Sequence, residues 1–491
     1  MKKFIENRPL LVIILAFQIF RFSLLPLMGL MPQDAYYYFY GQHLALSYFD
    51  HPGMIGYALR LFSEIFGQSA FVVKLTDFTL TSLTLIAFYN LSQLFLSKQK
   101  QQHALVLMST SVMLSILSII STPDVPLLLF WTLSLIALHK AVFNNNFKQW
   151  LLAGIFMGLA FDSKYTSIFL QFGLVAFLIL SKEHRKLLFS KGFVTAIIVS
   201  VLTAFPVLYW NYQHNFASFL FQSTQRAESV TSFGLKPLSF LGTVGHELLI
   251  LIPALFIFVA IITFKTLKKH LLKWQLPNAS NLFLLCFFLP TFLGFFGISF
   301  FYWVKINWLM PAYVSGLIFT SIYISKKWIR VNTILAIIIH IALAIEVVFY
   351  VVPIKSDDTW FGWEELSQNV ENIQKEYPNT FIFSADNYKT TAILNFYGNQ
   401  KVYAQNVIGK FALHFNFIGD DLSKLNGKDG LFIDSDRRIK SDAKSGQIPK
   451  ELRPYFSAVT EVEPILIKHH GKTVRKFWVY HATNYQNIPK N

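Results

Sequence analysis

Four carboxylates, Asp34, Asp50, Asp124 and Asp162, are the side chains of this sequence best placed to do chemistry. Each stands at or just beyond the end of a long apolar run, and the charges of the connecting segments put all four on one face of a membrane. A carboxylate at the end of a membrane span is partly desolvated, which makes it a better base. Asp34 opens the richest segment, where Tyr36, Tyr37, Tyr38 and Tyr40 precede His43, Asp50, His51 and Pro52. Aromatic rings beside a carboxylate form walls against which a sugar ring packs. The bland reading is a helix cap at Asp34 and an interfacial belt of tyrosines. Asp124, in Thr122-Pro123-Asp124-Val125-Pro126, reads first as ordinary capping at a helix start. Lys164, in Asp162-Ser163-Lys164-Tyr165-Thr166, is costly between two apolar runs unless it is hydrated, paired or holding an anion. A partner at Asp162 or Asp124 is one reading, and phosphate binding is the other.

The elements that must hold these residues are membrane helices. Of 491 residues 54% are hydrophobic and 14% charged, against about 25% charged in soluble domains. Apolar runs lie at roughly 10–30, 69–95, 102–121, 125–143, 150–163, 165–181, 192–210, 246–264, 281–302, 308–325 and 332–351. They predict about 11 spans, of which the short runs flanking Asp162 and Lys164 form either a re-entrant pair or two helices sharing a turn. Connecting segments alternate in charge. One set, from Lys2 and Lys3 to Lys326, Lys327 and Arg330, holds 18 basic residues; the other holds Arg60, Lys164, Arg226, Lys236 and Lys305, with Lys74 near its edge. The positive-inside rule then predicts a cytoplasmic N-terminus, and makes the net charge of +16 a topology signal rather than a nucleic-acid footprint. The lone Cys286 excludes a disulfide framework or thiolate metal site, and no Cys/His spacing for zinc occurs.

From about residue 352 the chain becomes polar. Short strands are expected at 381–384, 401–404, 430–433 and 477–480, with helices at 363–377 and 388–397. This divides the chain into a transmembrane domain, 1–351, and a small C-terminal α/β domain, 352–491, on the extracytoplasmic side. In the first outward loop Ile55, Leu59, Phe62 and Phe66 recur on one helical face and predict a helix lying along the membrane surface. A transporter or flippase of lipid-linked saccharides would gather ionisable residues near the midplane and show matching halves, and a scaffold would leave the one-sided polar inventory unexplained. Arg21, well inside the first run, is the exception, and either pairs internally or snorkels.

Gln33-Asp34-Ala35-Tyr36-Tyr37-Tyr38, with Tyr48-Phe49-Asp50-His51-Pro52, resembles the opening motif of the bacterial branch of the dolichyl-phosphate-mannose-protein mannosyltransferase family, which includes aminoarabinose transferases. Thr122-Pro123-Asp124-Val125-Pro126, the segment through Asp162 to Thr166, and Asn307-Trp308 with Pro311-Ala312-Tyr313 resemble its later motifs, in order. The resemblance covers roughly residues 10–350. It implies a GT-C membrane fold in a bacterial inner membrane, with the site facing the periplasm. It also implies inverting transfer of a hexosyl or pentosyl group from a polyprenyl-phosphate donor to a lipid, glycan or protein acceptor. The family carries an Asp-Glu pair where this sequence has Gln33-Asp34, so either the base is Asp34, or it is Asp50 or Asp124, or the chain is a catalytically altered scaffold. Lys74 matches a basic position tied to the donor phosphate. Lys164 and Arg226 join it as sources of positive field, with His51, Tyr37, Asp162 and Tyr165 as substrate-binding candidates. A divalent cation would add to that field, although no spacing requires one.

Overall fold

A computed structural model describes residues 8–225, 234–273, 275–354, 356–439 and 442–488. The chain divides into two compact units. The first comprises Met1–Leu25, His51–Ile55 and Lys74–Ala344; the second comprises Pro26–Asp50, Gly56–Val73 and Ile345–Asn491.

The first unit is helical. Among the described residues, four helices are long and apolar enough to cross a membrane: Ala70–Gln93, Asp124–Phe143, Ala279–Ser299 and Lys326–Phe349. Two bent pairs, Lys191–Thr203 with Phe205–Gln213 and Pro237–Leu251 with Pro253–His270, raise the number to six if each is one span. The expected count of about 11 is therefore not met. Hydropathy registers apolar runs but not the breaks inside them. The run 102–121 is interrupted between Lys98–Ser109 and Val112–Leu117, and Leu10–Leu24 and Tyr165–Leu180 are short. The run 246–264 turns through 114° at Ile252, a β-branched residue with φ of 71°, an uncommon conformation held by packing. Ile252 is fully buried against Phe17, Val112 and Ala336.

Small residues set the close helix contacts. A Cβ on Gly154 would lie 2.6 Å from the Ala196 carbonyl oxygen, and one on Gly158 would lie 2.8 Å from that of Ser200. Helix Phe147–Ser163 therefore packs backbone to backbone on Lys191–Thr203, as small residues four apart permit in membranes. That packing fixes the end of the helix from which Lys164 projects.

The second unit contains a mixed sheet of strands β1 (Phe381–Phe383), β2 (Val402–Tyr403), β3 (Gly430–Ser435), β4 (Phe456–Glu461), β5 (Ile465–His469) and β6 (Lys472–Tyr485). Its order is β2-β1-β3-β6-β4, with β5 also on β6. The first three strands run parallel, and β6 is antiparallel to its neighbours. The expected strands and the helices, observed as Trp363–Glu376 and Lys389–Tyr397, are present. Two first-loop helices, Pro32–Gln42 and Met54–Phe66, approach at Gly41 and Gly56, where a Cβ on either would lie 2.7 Å from the other segment. In Met54–Phe66, Ile55 and Leu59 are buried, whereas Leu61, Ile65 and Phe66 are exposed. The outward apolar face is thus rotated from the expected one.

Candidate functional site

Within the first unit, three segments converge on Asp124. It begins helix Asp124–Phe143, but its side chain makes no cap; the N-cap position is Pro123. Lys164 Nζ instead donates to both carboxylate oxygens at 2.8 Å, and Asn307 Nδ2 donates to Oδ2 at 2.6 Å. Asp124 is fully buried and Lys164 is 5% exposed. A buried ion pair is favourable only when its geometry is good and its remaining lone pairs are answered, and here the amide of Asn307 answers one of them.

The turn leading into Asp124 is pinned by helix Ala70–Gln93. Lys74 Nζ donates to the carbonyl of Ile119 at 2.8 Å, and Ser121 Oγ donates to Asp77 Oδ2 at 2.6 Å. All of these side chains are buried. Beyond Lys164, the hydroxyls of Tyr165 and Ser218 lie 2.6 Å apart. Asp162 is buried, and its Oδ1 meets no hydrogen-bond partner among the described residues.

The second unit holds a cluster of a different kind. Pro32 starts the helix Pro32–Gln42 at a position suited to proline. The buried Asp34 accepts the Met31 backbone N–H at Oδ2, 2.9 Å away, and so ties down the first turn. One turn on, Tyr36 and Tyr40 both donate to Asp50 Oδ1, the former at 2.9 Å. Burial, followed by the Asp50 carboxylate, pushes both phenols well above their usual range and keeps them donors. Tyr48 stacks on Tyr40 with ring centres 4.0 Å apart and donates to its carbonyl at 2.7 Å. The C-terminal segment covers this helix. The His414 N–H donates to the Tyr36 hydroxyl at 3.2 Å, while Tyr388 lies 4.5 Å from the Tyr36 ring and Phe415 lies 4.4 Å from the Phe39 ring.

Comparison with known proteins places this architecture. The family profile of dolichyl-phosphate-mannose-protein mannosyltransferase matches residues 50–210. A lipid A galacturonosyltransferase, RgtD, of Rhizobium johnstonii is 26% identical over 208 residues, 42% of this chain and 44% of that protein. The chain thus matches less than half the length of this curated relative. The crystal structure of ArnT from Cupriavidus metallidurans bound to undecaprenyl phosphate superposes with a TM-score of 0.66, covering 96% of this chain and 98% of ArnT at 10% identity. The Archaeoglobus fulgidus oligosaccharyltransferase tethered to an acceptor peptide gives 0.52, covering 86% and 68% at 12% identity. The chain has the GT-C fold. With it stands the resemblance read from the sequence motifs, and the reading of a multi-pass membrane protein.

In this GT-C chain the sequence-derived candidates separate. Asp124 and Lys164 are brought into contact, which selects Asp124 over Asp162 as the lysine's partner. Lys74 joins the turn before Asp124. Asp34, Asp50 and the buried Tyr37 belong to the second unit, and the half-buried His51 to the first. Arg226 lies outside the described residues. Among the described residues no group of three or more His, Cys, Asp or Glu is placed to hold a metal ion. Asn307 was legible only as part of a motif, and Asp77 and Ser121 were missed, although an aspartate in an apolar run is itself a signal. Nothing local marks His414.

Proposed function

We propose that this chain transfers a sugar from a polyprenyl-phosphate donor to an acceptor at the periplasmic face of a bacterial inner membrane. What carries the reading is the buried Asp124–Lys164–Asn307 cluster, built from three separate segments at the ends of apolar helices on a GT-C fold. The solved ArnT holds undecaprenyl phosphate on the same fold, which supports a polyprenyl-phosphate donor. The relative named for lipid A makes a lipid the acceptor to test first, ahead of glycan or protein. The N-terminus is cytoplasmic in this reading, residues 1–351 carry the transferase, and residues 352–491 form the extracytoplasmic domain.

The proposed chemistry is a single displacement with inversion. The acceptor oxygen attacks the anomeric carbon, the bond from that carbon to the phosphate oxygen breaks, and polyprenyl phosphate departs with the electron pair. Asp34 takes the acceptor proton. Lys74 and Lys164, with Arg226, supply positive field to the departing phosphate. Asp124 and Asn307 hold the Lys164 ammonium in place. The sequence resemblance assigns substrate binding to Tyr37, His51, Tyr165 and Asp162. Asp50, already accepting two phenols, organises the tyrosine-rich helix.

The test is release of free polyprenyl phosphate from radiolabelled undecaprenyl-phosphate sugars, hexosyl and pentosyl, by the full chain in lipid. Asp34→Asn should lower turnover by on the order of a hundredfold or more, the contribution of a general base. Equal turnover in wild type and variant would move the base to Asp50 or Asp124. Failure of every donor to bind would overturn the transferase reading.

A further inference from the structure

Arg21, singled out in the sequence for its place inside an apolar run, is left unused by the proposed site. It lies in the last turn of helix Arg8–Leu24 and is fully buried, so it does not snorkel to water. Its guanidinium donates three ways: Nε to Ser115 Oγ at 3.0 Å, Nη1 to Gln18 Oε1, and Nη2 to the backbone carbonyl of Ser109. All three acceptors are uncharged. Burying a cation among neutral groups in an apolar bundle is costly, and such residues persist where they serve something.

The two acceptors outside its own helix explain the position. Ser109 ends helix Lys98–Ser109, and Ser115 lies in helix Val112–Leu117, so the fork bridges a break in an apolar run. A helix break in a membrane leaves carbonyls without their partners four residues on. Arg21 answers that of Ser109. Ser111 caps the next half, its Oγ accepting the Leu114 N–H at 3.4 Å. Ser115 Oγ also lies 2.7 Å from His340 Nε2 on helix Lys326–Phe349, and His340 Nδ1 is 2.8 Å from the Ala336 carbonyl. A planar fork with donors in fixed directions suits this task, and a lysine's point charge does not.

The second half-helix runs directly into the turn before Asp124. Ser118 Oγ lies 2.9 Å from Thr81 Oγ1; Ile119 then receives Lys74, and Ser121 binds Asp77. We propose that Arg21 is a positioning residue, a splint across the 109–112 break that sets the 118–124 turn and with it Asp124 and the Lys74 ammonium. Its effect on turnover rests on the transferase reading; its effect on the turn does not.

The experiment compares the full wild-type chain with Arg21→Met, Arg21→Lys and Ser115→Ala in lipid nanodiscs, by peptide-resolved amide exchange and by donor kinetics. In Arg21→Met, exchange over 109–124 should rise while the C-terminal sheet stays protected. The kcat should fall by on the order of a hundredfold with the donor KM within about twofold, as when a group that stabilises the departing charge is held out of place. Arg21→Lys should recover part of both, and Ser115→Ala should show the same local exchange to a smaller degree. If Arg21→Met does not yield folded protein, Ser115→Ala and Arg21→Lys decide. Unchanged exchange over 109–124, or a rise in KM matching the fall in kcat, overturns the splint. A wild type without turnover on any donor defeats the transferase reading and leaves the exchange result to judge the splint alone.

Discussion

Asp124 in the first unit and Asp50 in the second are both carboxylates just outside apolar segments, and they are held in opposite ways. Asp124 is answered by a charge: Lys164 binds both its oxygens and Asn307 adds a neutral donor. At Asp50, Oδ1 accepts two neutral phenols of a single helix, Tyr36 and Tyr40. A charge answered by a charge fails badly when one partner goes, because the other is stranded in an apolar interior. A carboxylate oxygen shared by two phenols loses its hydrogen bonds one at a time. One arrangement is an all-or-none clamp, and the other is graded.

The largest effect should follow from breaking the clamp. Lys164→Met leaves Asp124 buried and unpaired, and should destabilise the solubilised protein by about 3–5 kcal/mol, read as a lowered thermal midpoint. A Lys164→Met, Asp124→Leu double variant should regain most of that loss without regaining turnover. A single-variant loss below about 1 kcal/mol would put the clamp in the range of an exposed pair. The graded arrangement should give less. Tyr40→Phe should cost about 1–2 kcal/mol and Tyr36→Phe no more, since in each case the other phenol remains on Asp50. A double variant costing far more than the two single costs together would make the phenols a clamp as well, and the contrast would fall.

A third carboxylate sharpens the comparison from the opposite side. Asp434, in β3, is answered by acid: burial first, then Asp386 and Glu451, push its carboxyl up to about 8. Because its proton is held more tightly in the folded chain, its contribution to stability is full below the usual aspartate range near pH 4. It then declines as the pH rises and is gone above about 8. Asp434→Asn should therefore stabilise the second unit by on the order of 1 kcal/mol at pH 8 and change little at pH 4. A pH-independent difference in urea midpoints would remove this effect.

What was readable in the sequence follows from which forces act locally. The strands β1, β2 and β3 are short apolar runs bounded by polar residues, and they appear where that pattern puts them. β4 and β5 were not visible, because β4 exposes Ser457, Ala458 and Thr460 and little of its sequence alternates. Apolar runs were legible, whereas hydropathy passes over the breaks inside them: Pro206 follows the break at Ala204, Pro253 follows Ile252, and Arg21 from another helix meets the break at 109–112. The candidate site divides the same way. Lys164 needed a partner and carboxylates were at hand, but only the fold chooses Asp124. The cover that His414 places on Tyr36 spans 378 residues of sequence, and no local pattern carries it.

That long-range cover has a consequence for how the protein is made. The tyrosine-rich helix leaves the ribosome 378 residues ahead of the segment that packs on it. At elongation rates of about 5–20 residues per second that interval is roughly 20–75 s. Throughout it, the helix bearing Asp34 waits beside the membrane without its finished surroundings. A chain cut short anywhere before His414 would insert its apolar helices yet never complete the packing around Asp50. The packing around Asp50 is thereby deferred until the segment bearing His414 has been made.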